Sequence, residues 1–482
     1  MTHRDATEQE LLKLLSLFKE IRCKPCGRAT GGLLLQNSCR GPVTVTRHSL
    51  TFVQRYSTDN PLVQLLLTAV LHHRQQFKDG GCLIGILVCK LVVSFYKSAC
   101  HPTLYAKVLG WLSHQSSLIL QKIANERLEL KIENMAGVLR GILKSKLLPH
   151  TPPSILNNLV THLAQVFILS SGDVSLHTLA YIGGIDTQPS ATLHKGVMID
   201  AHHSPIILAP GQYRAALVSC SLLGDTDELL EVTFRGSATP LTEALIGRIE
   251  QMVELLATNH VSLFICQKVI HPRIKLMIEF HGMRYLERLG LTMARLSHLT
   301  GRTPYSSIVD TKMVATSSIL NVTHIEHSGD TYLLLQGHDS DCKPTFTLQL
   351  CHWTEQISRE IEVSCMQALD VLGVHLLIDD RMLPGGGLWQ SELSSSVKRL
   401  AEGLSAEDVK KFGANMSRLR MVVDDFTSAL LCSVGMDKHT DNNRSREGTD
   451  VKDCYIAQHK AVTTAVSIAT AIIRTGNVIK ET

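Results

Sequence analysis

The spacing of apolar residues changes character twice along this chain, and that double change limits the folds open to it. Near the N-terminus Thr7-Glu8-Gln9-Glu10 is a capping-box signature ahead of Leu11, Leu14, Leu15 and Phe18 at helical spacing, so a first helix is expected to begin there. Asn60-Pro61 supplies a good N-cap and a proline at the first helical position, and Leu62 to Gln76 continue at helical period. Gly80 to Lys97 and His101 to Leu128 read as further long helices, with a short extended piece around Val43 to Thr46. The middle differs. Val197-Met198-Ile199, Ile206-Ile207-Leu208 and Ala215 to Ser219 are short β-branched or apolar runs bounded by Pro, Gly and His. Helical patterns at Leu241 to Ala257 and Arg273 to Phe280 alternate with a strand pattern at Ser262 to Cys266, as in an α/β domain. Strand patterns at Ile319 to His324, Tyr332 to Gln336 and Thr345 to Leu350 follow. Helix then resumes at Thr354 and ends with Ala457 to Arg474. The expected fold class is therefore α/β multidomain: two helical ends that fold together, with an α/β domain emerging between them.

Composition narrows the function. At 482 residues, 44% hydrophobic and 19% charged, the chain can bury a large core and is not disordered over most of its length. A formal net charge of +4 without runs of like charge, and only 5% aromatic residues, gives no basic stripe or stacking platform, so nucleic acid is not an expected partner. Met1-Thr2-His3-Arg4-Asp5 lacks the apolar core of a signal peptide, and Leu83 to Phe95 is interrupted by Lys90 and shorter than the ~20 residues of a membrane helix. Thirteen scattered cysteines fit a reducing compartment. The expectation is a cytoplasmic protein without membrane insertion.

Few residue clusters suggest chemistry by themselves. Cys23-Lys24-Pro25-Cys26 is a CxxC with no second pair at zinc spacing, and packing is its ordinary role. His72-His73 and His202-His203 lack acids at i+4 and default to solvated or half-buried histidines. No GxSxG or HExxH string appears. Asp79-Gly80-Gly81 and Gly385-Gly386-Gly387 would each read alone as a surface turn or a flexible loop. The apolar stripes at Leu241 to Leu256 and Ile274 to Phe280 are most often core.

Eight segments in one order change that reading. They are Asn60-Pro61-Leu62-Val63-Gln64-Leu65-Leu66 with Phe77-Lys78-Asp79-Gly80-Gly81-Cys82, then Ala99-Cys100-His101-Pro102, Ile142-Leu143-Lys144-Ser145-Lys146-Leu147, and Tyr181-Ile182-Gly183-Gly184. After these come Lys195-Gly196-Val197-Met198-Ile199-Asp200, Thr354-Glu355 through Leu369, Pro384-Gly385-Gly386-Gly387, and Ala469 through Ile479. Together they resemble the group II (cytosolic) chaperonins along most of the chain. Asn259 through Pro272, containing Cys266-Gln267-Lys268-Val269-Ile270-His271-Pro272, and Arg288-Leu289-Gly290-Leu291-Thr292 are similar to a divergent, Bardet-Biedl-associated branch of that family.

The resemblance implies a GroEL-like fold with a helical equatorial domain (1–130 and a shortened 385–482), a small intermediate domain (131–190 and 353–384) and an α/β apical domain (191–352). It implies ATP and Mg²⁺ as cofactors, bound weakly or vestigially. Carried over position by position, the nucleotide-binding residues are Pro25, Gly27, Asp79, Gly80, Gly81, Gly385, Gly386, Gly387 and Asp453, with Asp79 on the metal and Asp453 at the ribose. Gly81 and Cys82 stand where the family has two threonines. His48 and Gln367 stand where it has acids, and Gln367 is at the position of the aspartate that activates water. A carboxamide is a poor base, so no catalytic residue is expected and ATP hydrolysis should be slight or absent. Implied partners are other chaperonin-like Bardet-Biedl proteins, cytosolic chaperonin subunits and BBSome subunits, at the centrosome or ciliary basal body. Gly387 to Asp453 is shorter than in the family, with Asp437 to Asp450 expected as a solvated loop.

Overall fold

The computed structural model describes residues 3–22, 33–36, 43–98, 100–124, 126–128, 131–147, 151–172, 174–175, 177–186, 188–201, 208–224, 241–307, 317–327, 330–338, 342–435 and 451–475. The chain divides into two compact units, one of Met1–Ile168 with Thr354–Thr482 and the other of Leu169–Trp353. Both ends of the sequence thus share the first unit. Pro25, Gly27, the Cys23 to Cys26 pair, His202-His203, Ile206-Ile207 and the Asp437 to Asp450 segment lie outside the described residues.

The first unit opens with α1 (His3–Ile21), the hairpin β1 (Leu33–Gln36) and β2 (Val43–Thr46), and then α2 (Ser49–Arg55), α3 (Pro61–Phe77), α4 (Gly81–Lys97) and α5 (Pro102–Ile123). The start of α1 corrects the capping-box expectation. The helix begins at His3, so Thr7 lies within it, fully buried, and its hydroxyl accepts from Asn60 Nδ2 at 3.0 Å. Asn60 itself caps α3 as expected, its side chain accepting from Leu62 N with Pro61 in the first turn. Helix α4 is apolar nearly all round and is packed by α1, α3, α14 (Met416–Val434) and α15 (Tyr455–Arg474), which is why it can only be a central helix.

Helix α5 stops at Ile123, short of the expected Leu128, because β3 (Glu126–Arg127) is taken into a sheet with β13 (Arg381–Pro384) and Leu128 N donates to Asp380 O at 2.7 Å. β14 (Lys452–Cys454) completes the order β14-β13-β3. Helices α6 (Ile132–Lys146) and α7 (Pro153–Leu169) follow; on the return come α11 (Glu355–Ile378), α12 (Leu388–Glu402), α13 (Ala406–Lys411), α14 and α15. By length and composition α11 and α15 could cross a membrane, but half or more of each apolar window is buried inside the protein. They serve here as core helices.

In the second unit, β4 (Leu179–Ile185) and β5 (Ser190–Lys195) flank β12 (Phe346–His352), which is buried along its length. The larger sheet has the order β6-β11-β10-β7-β8-β9, from β6 (Val197–Asp200), β7 (Gly211–Val218), β8 (Leu263–Cys266), β9 (Arg284–Leu286), β10 (Ser318–His327) and β11 (Asp330–Gly337). The β7, β8 and β9 pairings are parallel, and α8 (Leu241–Thr258) and α9 (Pro272–Phe280) lie between those strands in sequence. Alternation places Ala216, Val218, Phe264 and Cys266 in one core with α8 and α9. Ala215, Leu217, Leu263 and Ile265 enter the other core with α10 (Thr292–Thr300). Both sheet faces are covered, as the α/β expectation required. Leu208 is buried but outside any strand.

Candidate functional site

Those sequence-predicted residues that are described, Asp79, Gly80, Gly81, Gly385 to Gly387 and Asp453, all lie in the first unit, the first three at the turn from α3 to α4. Lys78 caps α3 in a left-handed conformation (φ 60°), and Gly80 is also left-handed (φ 81°). A side chain at Gly80 would be strained by that φ and would place its Cβ 2.8 Å from His73 Nε2 and 3.0 Å from Ala461 Cβ. At Gly81, where the family has threonine, a Cβ would lie 2.5 Å from Ser49 Oγ and 2.9 Å from the Arg74 stem. Atoms of α2, α3 and α15 therefore fill the space next to both glycines. Between them and α3, Asp79 accepts from Gln458 Nε2 on Oδ2 at 3.1 Å, and the Arg74 guanidinium stands 3.8 Å from Oδ1 as a charge contact without a hydrogen bond.

His48 and Gln367, which the resemblance puts at two acidic positions, are adjacent. Glu360, Ser364 and Gln367 lie at i, i+4 and i+7 on one face of α11, and His48 sits against that face after β2. Gln367 Nε2 donates to Lys78 O at 3.0 Å, which fixes the amide orientation and leaves Oε1 to accept from His48 Nδ1–H. His48 Nε2 lies 3.1 Å from Ser364 Oγ, whose own O–H donates to Glu360 O at 2.8 Å. Burial, reinforced by the charges of Lys146 and Arg74, brings the His48 pKa down to about 3. The ring is thus neutral at physiological pH, and its 3.4 Å approach to Glu360 Oε1 is not an ion pair. Neither group can serve as a general base near neutrality, since one is a carboxamide and the other holds a proton too weakly.

On the other side, β13 leads into Gly385, whose N–H donates to Val451 O at 2.8 Å and whose Cβ position is blocked by Val451 at 2.7 Å. Gly386 (φ 68°) and Gly387 (φ 93°) turn the chain into α12. There the fully buried Trp389 donates its indole N–H to Asp453 Oδ2 at 2.9 Å. Burial first, and then the negative charge of Asp79, push the Asp453 carboxyl up to about 7. Asp79, Gly80, Gly81, the Gly385 to Gly387 run and Asp453 are therefore brought to one locality, and the sheet pairing of Leu383 with Asp453 holds its second half together.

In this locality Asp79, the carboxylate expected on the metal, already has protein partners. Mg²⁺ needs hard oxygen ligands turned toward it. Both Asp79 oxygens face donors or positive charge, and no group of three or more His, Cys, Asp or Glu that could hold a metal occurs among the described residues. The residues that complete the locality, Arg74, Gln458, Trp389 and Ser364, were not singled out by sequence reasoning. Of these only Arg74 carried a signal, as a charge on the apolar stripe of α3.

Gln367→Asp is expected to cost about 1–3 kcal/mol, because the shorter carboxylate loses the bond to Lys78 O and brings a charge beside a buried neutral imidazole. It should not create ATP hydrolysis while His48 remains. Chemical denaturation and a phosphate-release assay check the two halves, and recovery of turnover by this single change would mean that the pocket is misassigned.

The family model of the TCP-1/cpn60 chaperonins matches residues 33–435. The chain is 24% identical to the molecular chaperone MKKS of Mus musculus over 452 residues, covering 90% of this chain and 78% of that protein. The same protein from Homo sapiens is 24% identical over 459 residues, with the same coverage of 90% and 78%. A thermosome subunit of Methanothermococcus thermolithotrophicus is 20% identical over 443 residues, 85% of this chain and 78% of that one.

Proposed function

The chain belongs to the TCP-1/cpn60 chaperonin family, and from that premise we propose that it is a chaperonin-like assembly factor that binds and stabilises protein partners while turning over little or no ATP. The observation that carries this reading is the bonded His48 and Gln367 pair at the positions of two family acids. Its similarity to proteins named molecular chaperone MKKS supports partner binding as the surviving activity. The reading extends to chaperonin-like Bardet-Biedl proteins, cytosolic chaperonin subunits and BBSome subunits as partners, in the cytoplasm at the centrosome or basal body. It also takes 131–190 with 353–384 as an intermediate domain between equatorial and apical parts. Nucleotide at Asp79, the glycine turns and Asp453 is vestigial in this reading.

The test pairs two measurements. Purified protein with Mg-ATP is expected to release phosphate no faster than a Gln367→Ala variant, since removal of a water-activating acid typically lowers rates by ~10²–10⁴. Affinity capture of the full chain from ciliated cells, followed by mass spectrometry, is expected to enrich BBSome and chaperonin subunits. Steady turnover that disappears in Gln367→Ala, with a broad set of nascent cytosolic chains captured instead, would select an ATP-dependent folding subunit.

A further inference from the structure

We propose that Arg74 is a resident counter-ion for Asp79, so that the Asp79 carboxylate is charge-compensated without a divalent cation and takes no stabilisation from Mg²⁺. The inference deepens the reading above and rests on it, since it says why a chaperonin-family chain could dispense with Mg-ATP. Arg74 lies on the buried face of α3, with 4% of its side chain exposed. Its Nε and Nη1 make no hydrogen bond, so the guanidinium depends on nearby carboxylates for compensation, Asp79 before Asp370. Asp79 Oδ1 is 3.8 Å from Nη1, and Gln458 holds Oδ2. Gly81 gives the Arg74 stem its path: any Cβ there would meet Cγ and Cδ at 2.9 Å. A divalent cation approaching Asp79 would therefore meet a buried positive charge that cannot move away without breaking the packing at Gly81. The absence of a side chain at position 81 is thus required by the Arg74 stem and by Ser49. Helix α4 begins at this point with no acidic residue in its first turn, and the other carboxyl that senses Asp79, that of Asp453, is engaged by the Trp389 indole N–H.

The test uses the full chain and its melting temperature in millimolar MgCl₂, in EDTA, and in ATP with each. Wild type and Arg74→Lys are expected to melt at the same temperature with Mg²⁺ as with EDTA. Arg74→Gln is expected to gain a Mg²⁺-dependent rise that EDTA reverses, corresponding to roughly ten-fold or more in metal affinity, the usual size of the effect of one adjacent charge. Should Arg74→Gln fail to fold, Asp79→Asn decides the matter. It should lower the melting temperature equally in Mg²⁺ and in EDTA, because the partner lost is Arg74. A wild-type protein stabilised by Mg²⁺, or an Asp79→Asn defect confined to Mg²⁺, would overturn the proposal. Either result without phosphate release would leave the assembly-factor reading intact, whereas Gln367-dependent turnover would remove that reading itself.

Discussion

Trp389→Ala is expected to destabilise the first unit by roughly 3–5 kcal/mol, the usual range for deleting a large buried aromatic side chain. Trp389 is fully buried, and its indole N–H is the donor to Asp453 Oδ2 at 2.9 Å. Alanine leaves both a cavity behind the Gly385 to Gly387 turn and a carboxyl without that donor. Trp389→Phe separates the two parts, because it keeps most of the apolar volume and removes only the hydrogen bond, for about 1–2 kcal/mol. Urea denaturation followed by far-UV circular dichroism measures both. If the two variants lose the same amount, the bond to Asp453 carries the effect; if alanine costs under 1 kcal/mol, α12 is not anchored by this side chain and the packing around it is misjudged.

How far the fold was legible depends on the range of the interactions that decide each element. Where a signal is local it was readable: Asn60-Pro61 caps α3, Thr354 accepts from Ile357 N at the start of α11, and the apolar run from Ala215 falls in β7. Thr7 misled because a capping box and a buried helical threonine have the same local spelling. What tells them apart is Asn60, which is 53 residues away. β3 was missed for a similar reason. Two residues have no period, and their partners are Arg381 and Met382.

The candidate site shows the same division. The order of motifs could bring His48 and Gln367 to notice, but not show that they bond to one another across 319 positions. Gln458 reaches Asp79 across 379 positions. Arg74 was the exception, since Val63, Leu67, Val70, Arg74 and Phe77 share one buried helical face and only one of them is charged. A lone charge on an apolar stripe asks for a counter-charge, and Asp79 was five residues further on. Read strictly, the helix pattern contained the pair.

The clearest pH signature belongs to Asp453. Its folded pKa stands at about 7 against an ordinary 3.8, raised by burial and by Asp79. Below pH 3.8 the carboxyl is protonated in both folded and unfolded chains and costs nothing. As pH rises from there, the unfolded chain releases the proton while the folded one keeps it, so folding becomes less favourable until about pH 7, where the penalty levels off. A shift of about three pKa units would correspond to about 4 kcal/mol, but Asp453 retains some exposed surface, and about 2 kcal/mol is the expected effect. Asp453→Asn cannot ionise and its Oδ1 can still accept from Trp389. The variant should therefore be more stable than wild type by about 2 kcal/mol at pH 8, with the difference fading toward pH 4. Taking the difference matters, because His48 and His73, with pKa values lowered by burial to about 3 and about 4, impose an opposite trend on both proteins. Their contribution is lost as pH falls below 6.5, when the unfolded imidazoles gain protons that the folded ones resist, and it cancels in the comparison. Denaturation curves at pH 5 and pH 8 test the sign. An Asp453→Asn protein less stable than wild type at pH 8 would mean that the carboxylate is ionised and compensated in the folded chain, and the charge ascribed to this side of the locality would have to be reversed.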